Sequence, residues 1–482
     1  MTGFYVTTAI PYVNGAPHLG HALELVQADV LARHRRSRGQ PVRFLTGTDE
    51  NAAKNVAAAR AVGEDVAAFV QANAARFAAL RGPLSLSFDD FIRTAADPRH
   101  ARGVADLWRR GAAQGDFYRR SYTGRYCRGC EAFTTPDELL DGRCREHGTV
   151  PEAVVEQNWF FRLSRYAAAV EKTIRSGRVR IEPASRRNEV LALFGRGIED
   201  ISVSRPAARS GGWGIPVPGD PDQVVYVWWD ALANYVTALD TPATFHAWWA
   251  ASAERVHVIG KGIVRFHALH WLALLTSLGL PLPTTVFVHE YLTVDGTKIS
   301  KGRGDAVDPV ALVERFGTDA VRWWLLREVR GGADTDFTQR RLVERADREL
   351  AHGLGNLVNR TVALVHRYGP PTHVADVRPE LTAAAVALPG RIDAALGRFD
   401  FGAATDALWA VVESANRAVE RERPWERRDD VGPVLATLLD ACRVLAAECA
   451  PFLPDGAARL SGQLGSGARV GPVGTAFTRL AG

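Results

Sequence analysis

No stretch of this 482-residue chain stays apolar long enough to span a bilayer, and its N-terminus lacks the charged and apolar regions of a secretory signal. Those absences predict a protein away from membranes, working in the cytoplasm. Internal repeats and low-complexity tracts are missing too, so neither a solenoid nor a long disordered linker is expected. Cysteine is scarce: five residues, three of them within 18 positions and two far downstream. So thin a supply excludes a disulfide-stapled scaffold and leaves a metal knuckle as the readable use of thiols. A strong charge of one sign is also absent. The net charge of +5 permits a phosphate-rich partner without demanding one. What remains is an ordinary globular composition, 46% hydrophobic and 23% charged, in a chain long enough for two or three domains.

The first stretch alternates between strand-like and helical patterns. Residues 4–10 read as a buried strand, 21–35 as a helix, and 42–47 as a second strand ending in Thr48-Asp49-Glu50; 51–80 is alanine-rich and helical. Strand, helix, strand with polar residues at the strand ends predicts an α/β fold: a doubly wound parallel sheet (Rossmann-type) binding ligands at its carboxyl edge. From about Asp116 to Pro221 the periodicity breaks, with Gly, Pro and Cys interspersed, which reads as an insertion with its own small fold. Strands return at 224–227, 255–259 and 285–288. From about 344 to 460 the chain is nearly all helical. Leu350, Leu354, Leu357, Val358 and Val362 make one apolar stripe, and Leu435, Leu438, Leu439, Cys442 and Cys449 another, as in a helix bundle. The expected boundaries are 1–115 and 222–343 for two halves of a catalytic domain, 116–221 for the insertion and 344–482 for the bundle.

Two short basic segments carry the chemistry. His18-Leu-Gly20-His21 follows the first strand and opens a helix, whose free N–H groups and dipole favour phosphate. Its histidines, three apart, share a face, and Gly20 admits a nucleotide close to the backbone. Far downstream, Lys298-Ile-Ser300-Lys301 sets two ammonium groups on a turn. Alone, the first segment also reads as an ordinary helix cap; paired with the lysines it predicts a clamp for the triphosphate of ATP. Cys127-Arg-Gly-Cys130 and Cys144-Arg-Glu-His147, with thirteen residues between them, suit tetrahedral Zn²⁺. Four protein ligands leave no open position, so the zinc is expected to be structural. Cys442 and Cys449 read as small core residues.

Together these segments resemble the class I aminoacyl-tRNA synthetases, and among them the methionyl-tRNA synthetase family, over essentially the whole chain. The resemblance implies an ATP-dependent ligase that forms methionyl-adenylate and pyrophosphate, then passes the acyl group to methionine tRNA. By that resemblance His18, His21, Lys298 and Lys301 stabilise the pentavalent phosphate, Ser300 helps the loop close over ATP, and Mg²⁺ accompanies the nucleotide. The family's amino-acid pocket falls on Ile10, Tyr12, Asp49 (for the ammonium group), Trp228, Ala231, Tyr235, Ile263 and His267. Aromatic faces and one imidazole suit a thioether. Arg205 matches an arginine that supports the carboxylate. Asn356, Arg360, Pro424 and Trp425 match the family's anticodon readers, with an indole on which an unstacked base can sit. A monomer is expected.

Some positions depart from the family's pattern. Asp49-Glu50-Asn51-Ala52 replaces Asp-Glu-His-Gly, and Gly260-Lys261-Gly262 replaces Gly-Lys-Asp, removing an acidic group near Arg205. Glu290 stands where a glycine is usual, Ile299 replaces methionine, and Gly302 ends the lysine loop. Departures gathered at a ligand site within a persisting scaffold point to altered chemistry. One alternative is therefore a duplicated, divergent synthetase with altered substrate or inhibitor sensitivity; a second is a biosynthetic ligase that transfers its activated amino acid to a small non-tRNA acceptor such as an N-hydroxylated amine, beside a separate cupin-type partner. Another is a catalytically silent tRNA-binding module, against which the retained basic groups count.

Overall fold

A strand covered on both faces needs apolar residues without alternation, and four segments of this chain meet that need. The computed structural model describes residues 3–127, 129–130, 132–134, 139–145, 148–298, 307–369, 378–426, 431–467 and 469–480. Within these, six strands form one parallel sheet: β1 (Phe4–Thr8), β2 (Val42–Thr48), β3 (Asp90–Arg93), β4 (Arg180–Glu182), β5 (Glu254–Gly260) and β6 (Thr285–His289). Their order is β3-β2-β1-β5-β6-β4, every pair parallel. The buried strands β1 and β6 sit inside, while the edges β3 and β4 are short and charged, which blunts further pairing. The chain leaves β1 toward β2 on one side and later adds β5 on the other. The carboxyl ends of β1 and β5 therefore flank the switch point, where open α/β sheets bind ligands.

The chain divides into two compact units. The first comprises Met1–Pro17, Gln40–Ala79 and Phe88–His289; the second His18–Gly39, Leu80–Ser87 and Glu290–Gly482. Besides the parallel sheet, the first unit holds a four-stranded antiparallel sheet in which Phe117–Cys127 pairs with Glu152–Phe161 from Phe117↔Phe161 to Tyr126↔Glu152. The second unit is mostly helical. Both predicted stripes are buried there, with Leu357, Val358, Val362, Leu435 and Cys442 at 0% exposure, so the core reading of these positions holds.

Several local expectations shift. The strand expected at 224–227 is instead the end of Asp220–Val225, which pairs antiparallel with Ser204–Pro206 and Pro216–Val217; Val227 already begins the helix Val227–Thr237. β-branched residues fit a small antiparallel sheet as well as a parallel one, so composition does not separate the two. The long helix expected over 51–80 is two, Ala53–Val62 and Val66–Ala79, broken at Gly63 in the left-handed conformation (φ 73°). The three-residue strand β4, inside the stretch read as an insertion, is too short to show in the sequence.

The helix Leu19–Ser37 belongs to the second unit, and a buried ion pair explains why. Asp29 on this helix and Arg322 on the helix Thr318–Arg327 are both wholly buried, 2.8 Å apart. Arg322 also donates to the carbonyls of Leu84, Pro451 and Phe452, each at 2.9 Å, while Ser87 donates to Asp29 through N and Oγ. A buried pair with its remaining donors and acceptors satisfied tolerates no loss of one partner.

Candidate active site

At the start of Leu19–Ser37, the histidines form the helix cap that the sequence allowed. His18 is the N-cap: its Nδ1 accepts from Gly20 N at 3.1 Å, and His21 Nδ1 accepts from His18 N at 3.0 Å, a reciprocal capping box. The rings stack 3.7 Å apart. Because each Nδ1 lone pair accepts from backbone, the proton of a neutral ring sits on Nε2, making both histidines donors there. Donors of that kind suit phosphate oxygens. Gly20 has a nearer reason than nucleotide approach, since a Cβ there would lie 3.0 Å from His18 Cε1. Lys298 closes a small strand, Thr297–Lys298, paired with Leu292–Val294. The Lys298 side chain, Ser300 and Lys301 lie outside the described residues, as do Ile299 and Gly302.

The expected amino-acid residues gather at the carboxyl ends of β1, β2 and β5. Tyr12 and Asp49 form a parallel bridge, and Asp49 N donates to Pro11 O at 2.9 Å. Trp228 meets Tyr12 edge-on at 6.2 Å and stacks on Phe266 at 3.9 Å, nearly parallel. Tyr12, Trp228, Ile10 and Ile263 are half-buried; Asp49, Ala231, Tyr235 and His267 are buried. Tyr235 Oη lies 2.7 Å from His267 Nε2, and His267 Nδ1 lies 3.0 Å from Ile263 O. A carbonyl only accepts, so Nδ1 carries the proton and Tyr235 donates to Nε2. Burial pushes His267 down to about 4, so the imidazole is neutral at physiological pH. Aromatic faces around a neutral imidazole make a surface suited to an apolar, polarisable side chain.

Arg205 is buried behind this region, with its guanidinium 4.2 Å from the centre of Tyr226, 4.9 Å from Phe133 and 5.4 Å from Tyr126. Its NH1 donates to Ser202 Oγ and Ser204 O. No carboxylate meets it among the described residues.

In the knuckle, the sulfurs of Cys127, Cys130 and Cys144 all lie within 4.8 Å of one another, and Cys130 Sγ is 3.5 Å from Cys144 Sγ. Burial works to raise the Cys127 thiol, but hydrogen bonds from Cys130, Cys144 and Gly129 outweigh it and hold the group below its usual range. Three converging soft ligands fit Zn²⁺; the fourth expected ligand, His147, lies outside the described residues. In the second unit, Asn356 is exposed at the first turn of Asn356–Tyr368, and Arg360 one turn on reaches over the ring of Trp425 at 5.3 Å. Pro424 is buried, and Trp425 is 39% exposed.

Comparison with known proteins decides what this arrangement belongs to. The family described as tRNA synthetases class I (M) matches residues 4–146 and 129–362. A methionine–tRNA ligase of Caldanaerobacter subterraneus is 39% identical over 477 residues, covering 96% of this chain and 74% of its own. One of Mycobacterium tuberculosis is 40% identical over 489 residues, covering 96% and 92%. The solved structure of Mycobacterium tuberculosis methionyl-tRNA synthetase in complex with methionyl-adenylate superposes with a TM-score of 0.94 at 36% identity, over 99% of this chain and all of that one. This chain belongs to the class I methionyl-tRNA synthetase family.

Around the expected amino-acid residues the structure places side chains that the sequence did not single out. Phe266 stacks on Trp228. Lys54 lies 4.2 Å over the Tyr12 ring and donates to Gly129 O at 2.8 Å, joining the pocket to the knuckle. Asp230, on the helix Val227–Thr237, and His100, bonded to it, are wholly buried. The only available hint was a charged residue inside the apolar run Val227-Trp-Trp-Asp230-Ala-Leu, where burial demands partners.

Proposed function

We propose that this chain activates methionine with ATP, releasing pyrophosphate, and transfers the methionyl group to the terminal ribose hydroxyl of methionine tRNA. The reading is supported by the half-buried Trp228, set between Tyr12 and Phe266, and by the neutral His267 that Tyr235 and the Ile263 carbonyl hold. Asp49 binds the ammonium group, Arg205 supports the carboxylate, and Ile10, Ala231 and Ile263 complete the apolar wall. His18 and His21, as Nε2 donors, and Lys298 and Lys301, as cations, neutralise the charge that builds on the α-phosphate as the carboxylate displaces pyrophosphate. Such catalysis is electrostatic and positional, with little proton transfer by the protein. Gly20 lets the His18 ring fold over the helix start, Ser300 helps close the loop, and Mg²⁺ travels with ATP.

Cys127, Cys130, Cys144 and His147 would hold a zinc ion whose contribution is to fix the knuckle. Asn356, Arg360, Pro424 and Trp425 read the anticodon by base-edge contacts and stacking. In this scheme 1–115 and 222–343 form the catalytic domain, 116–221 the insertion and 344–482 the bundle, in a cytoplasmic monomer. No helix among the described residues is long and apolar enough to cross a membrane. ATP–pyrophosphate exchange with each amino acid, followed by charging of methionine tRNA, tests the proposal. Methionine-dependent exchange with charging is expected; exchange without charging transfers the reading to a ligase with a small acceptor.

A further inference from the structure

Asn51 stands where the family usually has histidine, and its side chain turns out to be part of a buried network. Its Nδ2 donates to Asp230 Oδ2 at 2.6 Å and lies 3.3 Å from Thr94 O. Asp230 is wholly buried in the first turn of Val227–Thr237. Its other oxygen meets Nε2 of the wholly buried His100, whose Nδ1 lies 2.7 Å from Thr237 Oγ1 on the same helix. A buried carboxylate needs a donor at each oxygen, and Asn51 and His100 supply them.

Helical geometry gives the network its meaning. Trp228, Ala231 and Tyr235, spaced i, i+3, i+7, share one face of the helix, and Asp230 and Thr237, seven apart, share another. His100 grips that second face at both ends. Asn51 ties its first turn to the chain just beyond β2, two positions after Asp49. Holding one face of a helix fixes the rotation of the other.

We infer that Asn51, Asp230 and His100 are positioning residues for the amino-acid pocket, setting where Trp228, Ala231 and Tyr235 stand relative to Asp49. The inference rests on the reading of that pocket as the amino-acid site. It also gives the departure at position 51 a purpose: an amide supplies the N–H that Asp230 needs and, unlike imidazole, does not titrate.

The test is Asn51→Ala in the full chain, assayed by ATP–pyrophosphate exchange. KM for methionine is expected to rise about tenfold while KM for ATP and kcat stay within about twofold, because binding geometry is lost and transition-state contacts to phosphate are not. Asn51→His, which restores a donor, brings KM back to within about threefold of wild type. Hydrogen–deuterium exchange over residues 227–237 rises about fivefold or more in Asn51→Ala. Unchanged protection there overturns the inference whatever amino acid the wild type activates, and so does an equal rise in both KM values. If the wild-type protein shows no methionine-dependent exchange, the substrate reading fails instead, and the protection measurement still decides the positioning role.

Discussion

Acidification from pH 7 to pH 5 is expected to strip stability from the unit that contains the parallel sheet, and its buried histidines set how much. His257 and His267 are 0% and 1% exposed. Burial drives His267 down to about 4, and burial, with the neighbouring His267 and Arg255, holds His257 well below its ordinary 6.5. His257 has uses for both nitrogens as a neutral ring: Trp271 donates to its Nε2 at 3.1 Å, and Nδ1 lies 2.7 Å from Thr7 Oγ1. On unfolding, both rings return to the ordinary value. Between that value and the folded one, the unfolded chain binds a proton that the folded chain refuses, so stability falls as the pH falls. Above 6.5 neither state binds it and the effect vanishes; for His267 the window runs from 6.5 down to about 4. His267 contributes about 1.4 kcal/mol per pH unit within its window, hence about 2 kcal/mol between pH 7 and 5, and His257 adds in the same direction. His270, pushed down to about 3 by burial, adds in the same direction. Urea unfolding at the two pH values and constant ionic strength, followed by tryptophan fluorescence, measures the loss. His267→Gln is expected to remove about 2 kcal/mol of the pH dependence. A stability difference below about 1 kcal/mol between pH 7 and 5 would refute the assignment of neutral buried imidazoles.

Other expectations follow from particular contacts. Arg322→Met leaves the buried Asp29 to the partly exposed Arg33, whose Nε lies 2.8 Å away, and removes the bonds to three buried carbonyls; it is expected to cost about 3 kcal/mol in urea unfolding, and Arg322→Met with Asp29→Leu recovers part of it. A single variant that costs less than about 1 kcal/mol would show the pair to be dispensable. Cys144→Ser lowers the bound zinc measured by metal analysis from about one per chain to well below half, since a hydroxyl is a poor ligand for this soft site; full retention argues for a different ligand set. Trp425→Ala and Asn356→Ala lower charging of methionine tRNA about tenfold or more while exchange activity without tRNA stays within about twofold. Equal losses in both assays would remove these residues from anticodon reading. Lys298→Ala depresses the activation rate far more than methionine affinity, because its charge matters most in the transition state.

Much of the fold was legible because its signals are local. The apolar runs of β1, β2, β5 and β6 needed no partner to be recognised, and the stripes containing Leu357 and Leu435 carried the helical period in plain view. The knuckle was legible for the same reason, since its ligand pairs are close in sequence. The strand expected at 224–227 shows where local evidence stops. Val224 and Val225 do form a strand, but their partners are Arg205, Ser204 and Pro216, and pairing is a property of distant residues.

By its own order of residues the chain determined the type of its elements, the capping pattern at His18 and the membership of its motifs in a family, because each depends on neighbours within a few positions. Tertiary structure alone decided which partners the buried polar groups found. It put Asn51 and His100 on Asp230, Tyr235 on His267, Arg322 on Asp29, and three aromatic rings around Arg205 in place of a carboxylate. Burial makes a polar group costly unless it is satisfied, and satisfaction comes from residues tens or hundreds of positions away. That is a contact no local pattern can announce.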